Sequence, residues 1–177
     1  TRYPSARRIS EAVEGIGGVL DATTSSEVTT YWAKVAAEHF ALALDVLSEM
    51  LRRPLVPAPE VDKERLVIVE ELHMVADSPS DWIIELIGNI LWPDHPLGRD
   101  IAGTLESVGS IGREDILSFQ RAHYAPGNIV AVVAGALPQE AVEGALASSL
   151  GDMVPLAPVT WAPAPPFQPG PRVIVGQ

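Results

Sequence analysis

The chain has 177 residues, 47% hydrophobic and 20% charged, enough for one domain with a sizeable core and a trailing piece, and too apolar for a disordered protein. A formal net charge of −11 argues against nucleic acid, whose phosphates call for a basic surface, and against anionic membranes. With no cysteine, disulfides, thiolate metal sites and cysteine nucleophiles are excluded.

The first segment, Pro4 to Ile16, reads as a helix with Ile9, Ala12, Val13 and Ile16 on one stripe and Gly17-Gly18 as its stop. Val19 to Thr24 and Val28 to Val35 are rich in Val, Thr, Tyr and Trp. They predict two strands, joined at Ser25-Ser26 into an antiparallel hairpin. From Ala36 the pattern turns helical, with Phe40, Leu44, Leu47 and Leu51 inward, and Pro54, Pro57 and Pro59 form a stiff connector. A central helix is expected over Glu60 to Ala76, broken by Ser78-Pro79, and a further helix over Asp81 to Leu91 with Ile84, Ile87 and Leu91 inward. After the turn-rich loop from Trp92 to Asp100 come short helices over Leu105 to Val108 and Arg113 to Tyr124. Asn128 to Ala134 predicts a buried strand by composition, and Gln139 to Leu150 a helix capped by Gly151. Residues 154 to 171 hold seven prolines and read as an extended linker, and Arg172 to Val175 as the start of another strand. The fold class expected is α+β, a mostly antiparallel sheet flanked by helices. No apolar run approaches a membrane span and no signal peptide is visible, so a soluble protein is expected, with the cytoplasm favoured.

The central helix carries the one unusual chemistry. Glu64 and Glu71 are two heptad-spaced carboxylates, about 20° apart in projection and about 10 Å apart along the axis. Val67, Ile68 and Val75 are turn neighbours of Glu71, and a carboxylate among such residues is costly unless a cation, metal or donor meets it. Pattern alone leaves open that Glu71 is a surface charge at the rim of an apolar stripe, the more ordinary case. His39, His73, His95 and His123 include no pair at metal-ligand spacing. Val35-Ala36-Ala37-Glu38-His39 has valine where an H-x-x-E-H motif needs its first histidine.

Five stretches in order carry a family resemblance: G-I-G-G-V-L-D-A-T-T-S-S-E-V-T-T-Y (Gly15 to Tyr31), A-L-D-V-L-S-E-M-L (Ala43 to Leu51), E-R-L-V-I-V-E-E-L (Glu64 to Leu72), H-P-L-G-R-D-I-A-G-T (His95 to Thr104) and A-P-G-N-I-V-A-V-V-A-G after Tyr124. Together they resemble the insulinase, pitrilysin and mitochondrial processing peptidase family, zinc metallopeptidases with an inverted H-x-x-E-H motif. The resemblance implies one half-domain of the processing-peptidase-like fold over residues 1–153, lacking N-terminal strands and the zinc helix. Residues 154–171 are then the linker, and 172–177 the start of the next strand or domain. It implies that Glu71 is the third zinc ligand, that Glu64 is the acidic residue beside the site, and that Asp21, Ala22 and Glu27 on the hairpin meet an extended peptide substrate. Asp21 stands where the family carries asparagine. The H-x-x-E-H motif, which in the family lies just upstream of the segment matching Arg2-Tyr3-Pro4, is absent. The expected protein is therefore a fragment of a zinc endopeptidase, inactive and without zinc by itself. Its expected partners are a peptide substrate and a second homologous half or subunit, with neither nucleic acid nor membrane. The same resemblance admits an alternative, a non-catalytic subunit serving binding or assembly.

Overall fold

The computed structural model describes every residue except 1, 158–159, 165–169, 172 and 174–177. Among the described residues it is helix-rich, with one two-stranded antiparallel sheet, and it divides into two compact units.

The first unit comprises residues 1–23, 29–56 and 117–159. It opens with α1 (Ala6–Glu14), which begins one residue after the cap Ser5, whose hydroxyl accepts from the Arg8 backbone N–H at 3.3 Å. The helix ends as its glycines predict. Gly17 takes a left-handed φ of +73°, and the Gly18 N–H turns back to the Val13 carbonyl at 2.9 Å. Gly18 is buried, and a Cβ there would stand 2.8 Å from both the Val13 carbonyl oxygen and Val35 Cγ1. Strands β1 (Val19–Thr24) and β2 (Thr29–Lys34) form the predicted hairpin, and the Ser25 N–H and hydroxyl both reach the Val28 carbonyl at its tip. Tyr31 and Ala33 are the half-buried positions of β2, at the two-residue period of a strand with one covered face.

The central element of this unit is α2 (Phe40–Arg52), against which α1, β2 and α7 (Gln139–Leu150) pack. Val13 of α1 and Val46 of α2 are fully buried, joined by Ala43 and Ala125. The predicted stripe of Phe40, Leu44, Leu47 and Leu51 is only half-buried. At the C-terminal end of α2, Arg52 donates to the Ser149 carbonyl and pairs with Asp152 at 2.6 Å, clasping α7. Beside it, the Gln120 amide donates to the Leu51 carbonyl at 2.9 Å.

Residues 24–28, 57–116 and 160–177 form the second unit. Its long helix α3 (Ala58–Asp77) packs against α4 (Pro79–Leu91) and α5 (Leu105–Ser110). Pro59 sits in the first turn of α3, where a missing N–H costs nothing. Thr104 and Ser107 cap α5 reciprocally: the Ser107 N–H donates to the Thr104 hydroxyl at 3.1 Å and the Thr104 N–H to the Ser107 hydroxyl at 2.9 Å. Val108 is the buried apolar residue among the described residues of this unit. Helix α6 (Arg113–His123) begins in this unit and ends in the first.

Two expectations are corrected. Asn128 to Ala134 is not a strand: after a single 3-10 turn the backbone runs on outside any sheet, and Val130 and Val132 are 87% and 84% exposed. Ile129 has extended angles, but a central strand exists only where a neighbour completes its hydrogen-bond ladder. On α4 the predicted inward residues Ile84, Ile87 and Leu91 are exposed, and the half-buried positions are Glu85, Leu86, Gly88 and Ile90. An apolar stripe marks the face that wants cover, whereas the observed face is the one that meets α3 and the 3-10 turn at Pro96–Gly98. The predicted linker, in its described residues 154–157, 160–164 and 170–171, is exposed and carries neither helix nor strand. Most of the expected strand over Arg172 to Val175 lies outside the described residues.

Candidate functional site

Glu71 lies in the C-terminal half of α3, at the wall of an open depression of about 480 Å³. Leu72, Met74, Val75 and Ser78 continue that wall, Asp81 and Glu85 of α4 face it, and Asp100 and Ala102 of the next loop close the far side. Glu71 is exposed, the more ordinary case that pattern alone left open; of its turn neighbours Val67 is 50% exposed, whereas Ile68 and Val75 are half-buried. Glu64 is also exposed and is not among the residues lining the depression.

Four carboxylates thus share one concavity. Asp81 and Glu85 are four residues apart on one helix face, one turn above the other. Burial holds the Glu85 carboxyl above its ordinary range, and the negative charge of Asp100 adds to the effect. The Asp100 side chain is committed locally, accepting from the Ala102 N–H at 2.8 Å. A concavity of this sign favours cations and basic groups.

On the hairpin, Asp21 and Ala22 lie exposed on β1, and the Asp21 carboxylate accepts from the Ala22 N–H at 2.8 Å. Glu27 is exposed at the hairpin tip. Two of the histidines are engaged locally. His95 accepts through Nδ1 from the Leu97 N–H at 3.2 Å and stacks near Trp92, and His123 lies against Phe119 with ring centroids 4.2 Å apart. Among the described residues no three His, Asp or Glu side chains converge on a point where a metal could sit. The residues present therefore do not make a zinc site by themselves: Glu71 offers one carboxylate where such a site needs three protein ligands.

Sequence reasoning singled out Glu71 but missed Asp81, Glu85 and Asp100. The four-residue spacing of Asp81 and Glu85 was a visible signal, whereas the approach of Asp100 depends on how the loop folds back.

Residues 1–105 match the family model described as Insulinase (Peptidase family M16). The chain belongs to this insulinase family. Residues 110–176 match a second model, described as Peptidase M16 inactive domain. A Streptomyces coelicolor protein described as an uncharacterized zinc protease is 38% identical over 135 residues, which cover 76% of this chain and 29% of that relative. The chain thus spans under a third of the length of that insulinase-family relative. Among solved structures, a protease from Helicobacter pylori aligns with a TM-score of 0.82 at 22% identity, over 90% of this chain and 39% of the other. The first half of the Escherichia coli periplasmic protease PqqL aligns with a TM-score of 0.78 at 19% identity, over 93% and 36%. These likenesses fix the fold as an α+β portion of an insulinase-family peptidase half. No helix among the described residues is long and apolar enough to cross a membrane.

Proposed function

We propose that this chain is part of a zinc metalloendopeptidase that hydrolyses extended peptides, and that it supplies Glu71 as one metal ligand. The observation that carries the reading is the placement of Glu71, the glutamate of the family-like E-R-L-V-I-V-E-E-L segment, at the wall of a concavity large enough for a peptide side chain. In such enzymes zinc lowers the pKa of bound water and polarises the scissile carbonyl. This chain's own residues would do the rest of the binding. The outer edge of β1, with Asp21 and Ala22, offers backbone groups to an extended substrate in the manner of an added strand, with Glu27 at the tip. Glu64, one heptad before Glu71 on α3, adds negative charge on the same side of the helix. The reading requires an H-x-x-E-H motif elsewhere in the same protein, and a second homologous half would complete the peptidase.

The test is Glu71→Gln in the full-length protein. Peptide hydrolysis is expected to fall by at least about a thousandfold with the circular-dichroism spectrum unchanged, as removal of a metal-held transition-state interaction implies. Near-normal turnover in that variant would remove Glu71 from the ligand set.

A second reading, a non-catalytic family subunit, draws on the match of residues 110–176 to an inactive domain and on an Asp21 carboxylate already engaged with its own backbone. The rest of the encoded protein separates the two readings: without H-x-x-E-H in it, the catalytic reading is gone.

A further inference from the structure

The apolar packing of the helix on which the proposed function depends is shallow: Val61, Ile68, Val69, Leu72 and Val75 are half-buried. None of the 20 residues of α3 is buried, and Leu66, Val67 and Met74 are 68%, 50% and 70% exposed. Interdigitated side chains normally fix how far a helix is rolled about its axis. Where they are sparse, a roll of one residue's step, about 100°, would carry Glu71 away from the depression.

One side chain adds a directional constraint to that packing. Arg65 Nε donates to the Val108 carbonyl at 3.2 Å and Nη2 to the Ile111 carbonyl at 2.8 Å, while Nη1 returns to Asp62 on its own helix at 2.7 Å. Val108 belongs to the last turn of α5 and Ile111 caps that helix. Carbonyls at that end lack intrahelical partners and carry the negative end of the helix dipole, so a guanidinium is their natural complement. A single side chain thus ties α3 to the end of α5 at two points. That side chain is 26% exposed, so the contact is shielded from much of the solvent. A planar fork reading two carbonyls fixes rotation as well as distance. A lysine ammonium, a single point charge, fixes only distance.

We infer that Arg65 is a positioning residue: its fork onto the end of α5 sets the rotation of α3 and so presents the Glu71 carboxylate at the depression. This rests on the reading of Glu71 as a ligand, and the experiment separates the two. Arg65→Lys, Arg65→Gln, Glu71→Gln and, as a control that keeps the fork on α5, Asp62→Asn are made in the full-length protein. Zinc affinity is read by chelator competition, kcat and KM on a peptide, and amide hydrogen exchange along α3. Both Arg65 variants are expected to weaken zinc roughly ten- to a hundredfold, the usual effect of losing a group that orients a ligand. They should lower kcat with KM nearly unchanged and speed exchange in α3 but not in α1 or α2. Lysine should restore little of the glutamine loss, and Asp62→Asn should behave as wild type. Wild-type zinc affinity and kcat per folded molecule in both Arg65 variants would overturn the inference, as would failure of both to fold, which would make Arg65 a folding residue. If Glu71→Gln leaves zinc affinity intact, the ligand reading fails and the inference with it. If Glu71→Gln abolishes binding while the Arg65 variants bind normally, only the positioning role fails.

Discussion

Glu85 shows what the acidic concavity costs at the scale of one residue. Burial, and then the charge of Asp100, raise its carboxyl above the ordinary glutamate value of 4.5. The folded state therefore holds this proton more tightly than the unfolded chain does. The resulting stability is fully present below pH 4.5 and is lost as pH rises through the raised folded value. At neutral pH the ionised group is a net cost that a bound cation or basic side chain would relieve. Glu85→Gln is thus expected to raise the urea midpoint at pH 7.5 and to have little effect at pH 4. A variant less stable than wild type at pH 7.5 would contradict this account. The place of Glu71 on α3 was legible because it sits inside a recognisable segment. Asp100 at the same depression was not, because it reaches there only through the fold of a loop, and one-dimensional spacing carries no record of such approaches.

Among elements, those legible in the sequence are stabilised mainly by their own residues. The α1 stop at Gly17-Gly18 and the hairpin tip at Ser25 both arise from local chemistry, whereas Pro59, expected in the connector, stands in the first turn of α3. The elements that were misread depend on partners. Asn128 to Ala134 has the composition of a core strand but no ladder beside it, and α4 turns a half-buried face one residue round from its apolar stripe. Gly18 shows how closely the legible part is packed. An added methyl would collide with Val13 and Val35 at 2.8 Å, one contact being a backbone oxygen that cannot rotate aside. Gly18→Ala is expected to cost about 1–3 kcal/mol by overpacking, seen as a lower chemical denaturation midpoint with an unchanged slope. A cost within error of zero would mean that α1 and the entry to the hairpin have room to give way.

Taken whole, the 177-residue chain carries family sequence across its length, whereas among its described residues no three His, Asp or Glu side chains gather as the three protein ligands of a zinc site would. Incubated with zinc and dialysed, it is expected to retain far less than one equivalent and to cleave no peptide. Stoichiometric, chelator-resistant zinc would show that ligands converge in solution in a way the described residues do not. The exposed run from Val130 to Ala134 has a different consequence. Its backbone lies outside any ladder, and its outward valines and peptide groups can be satisfied by a second chain laid alongside. Association that favours the folded form couples folding to mass action, so a melting temperature becomes a property of the solution as well as of the molecule. Any association along this run would make the stability of the chain depend on the protein concentration at which it is measured.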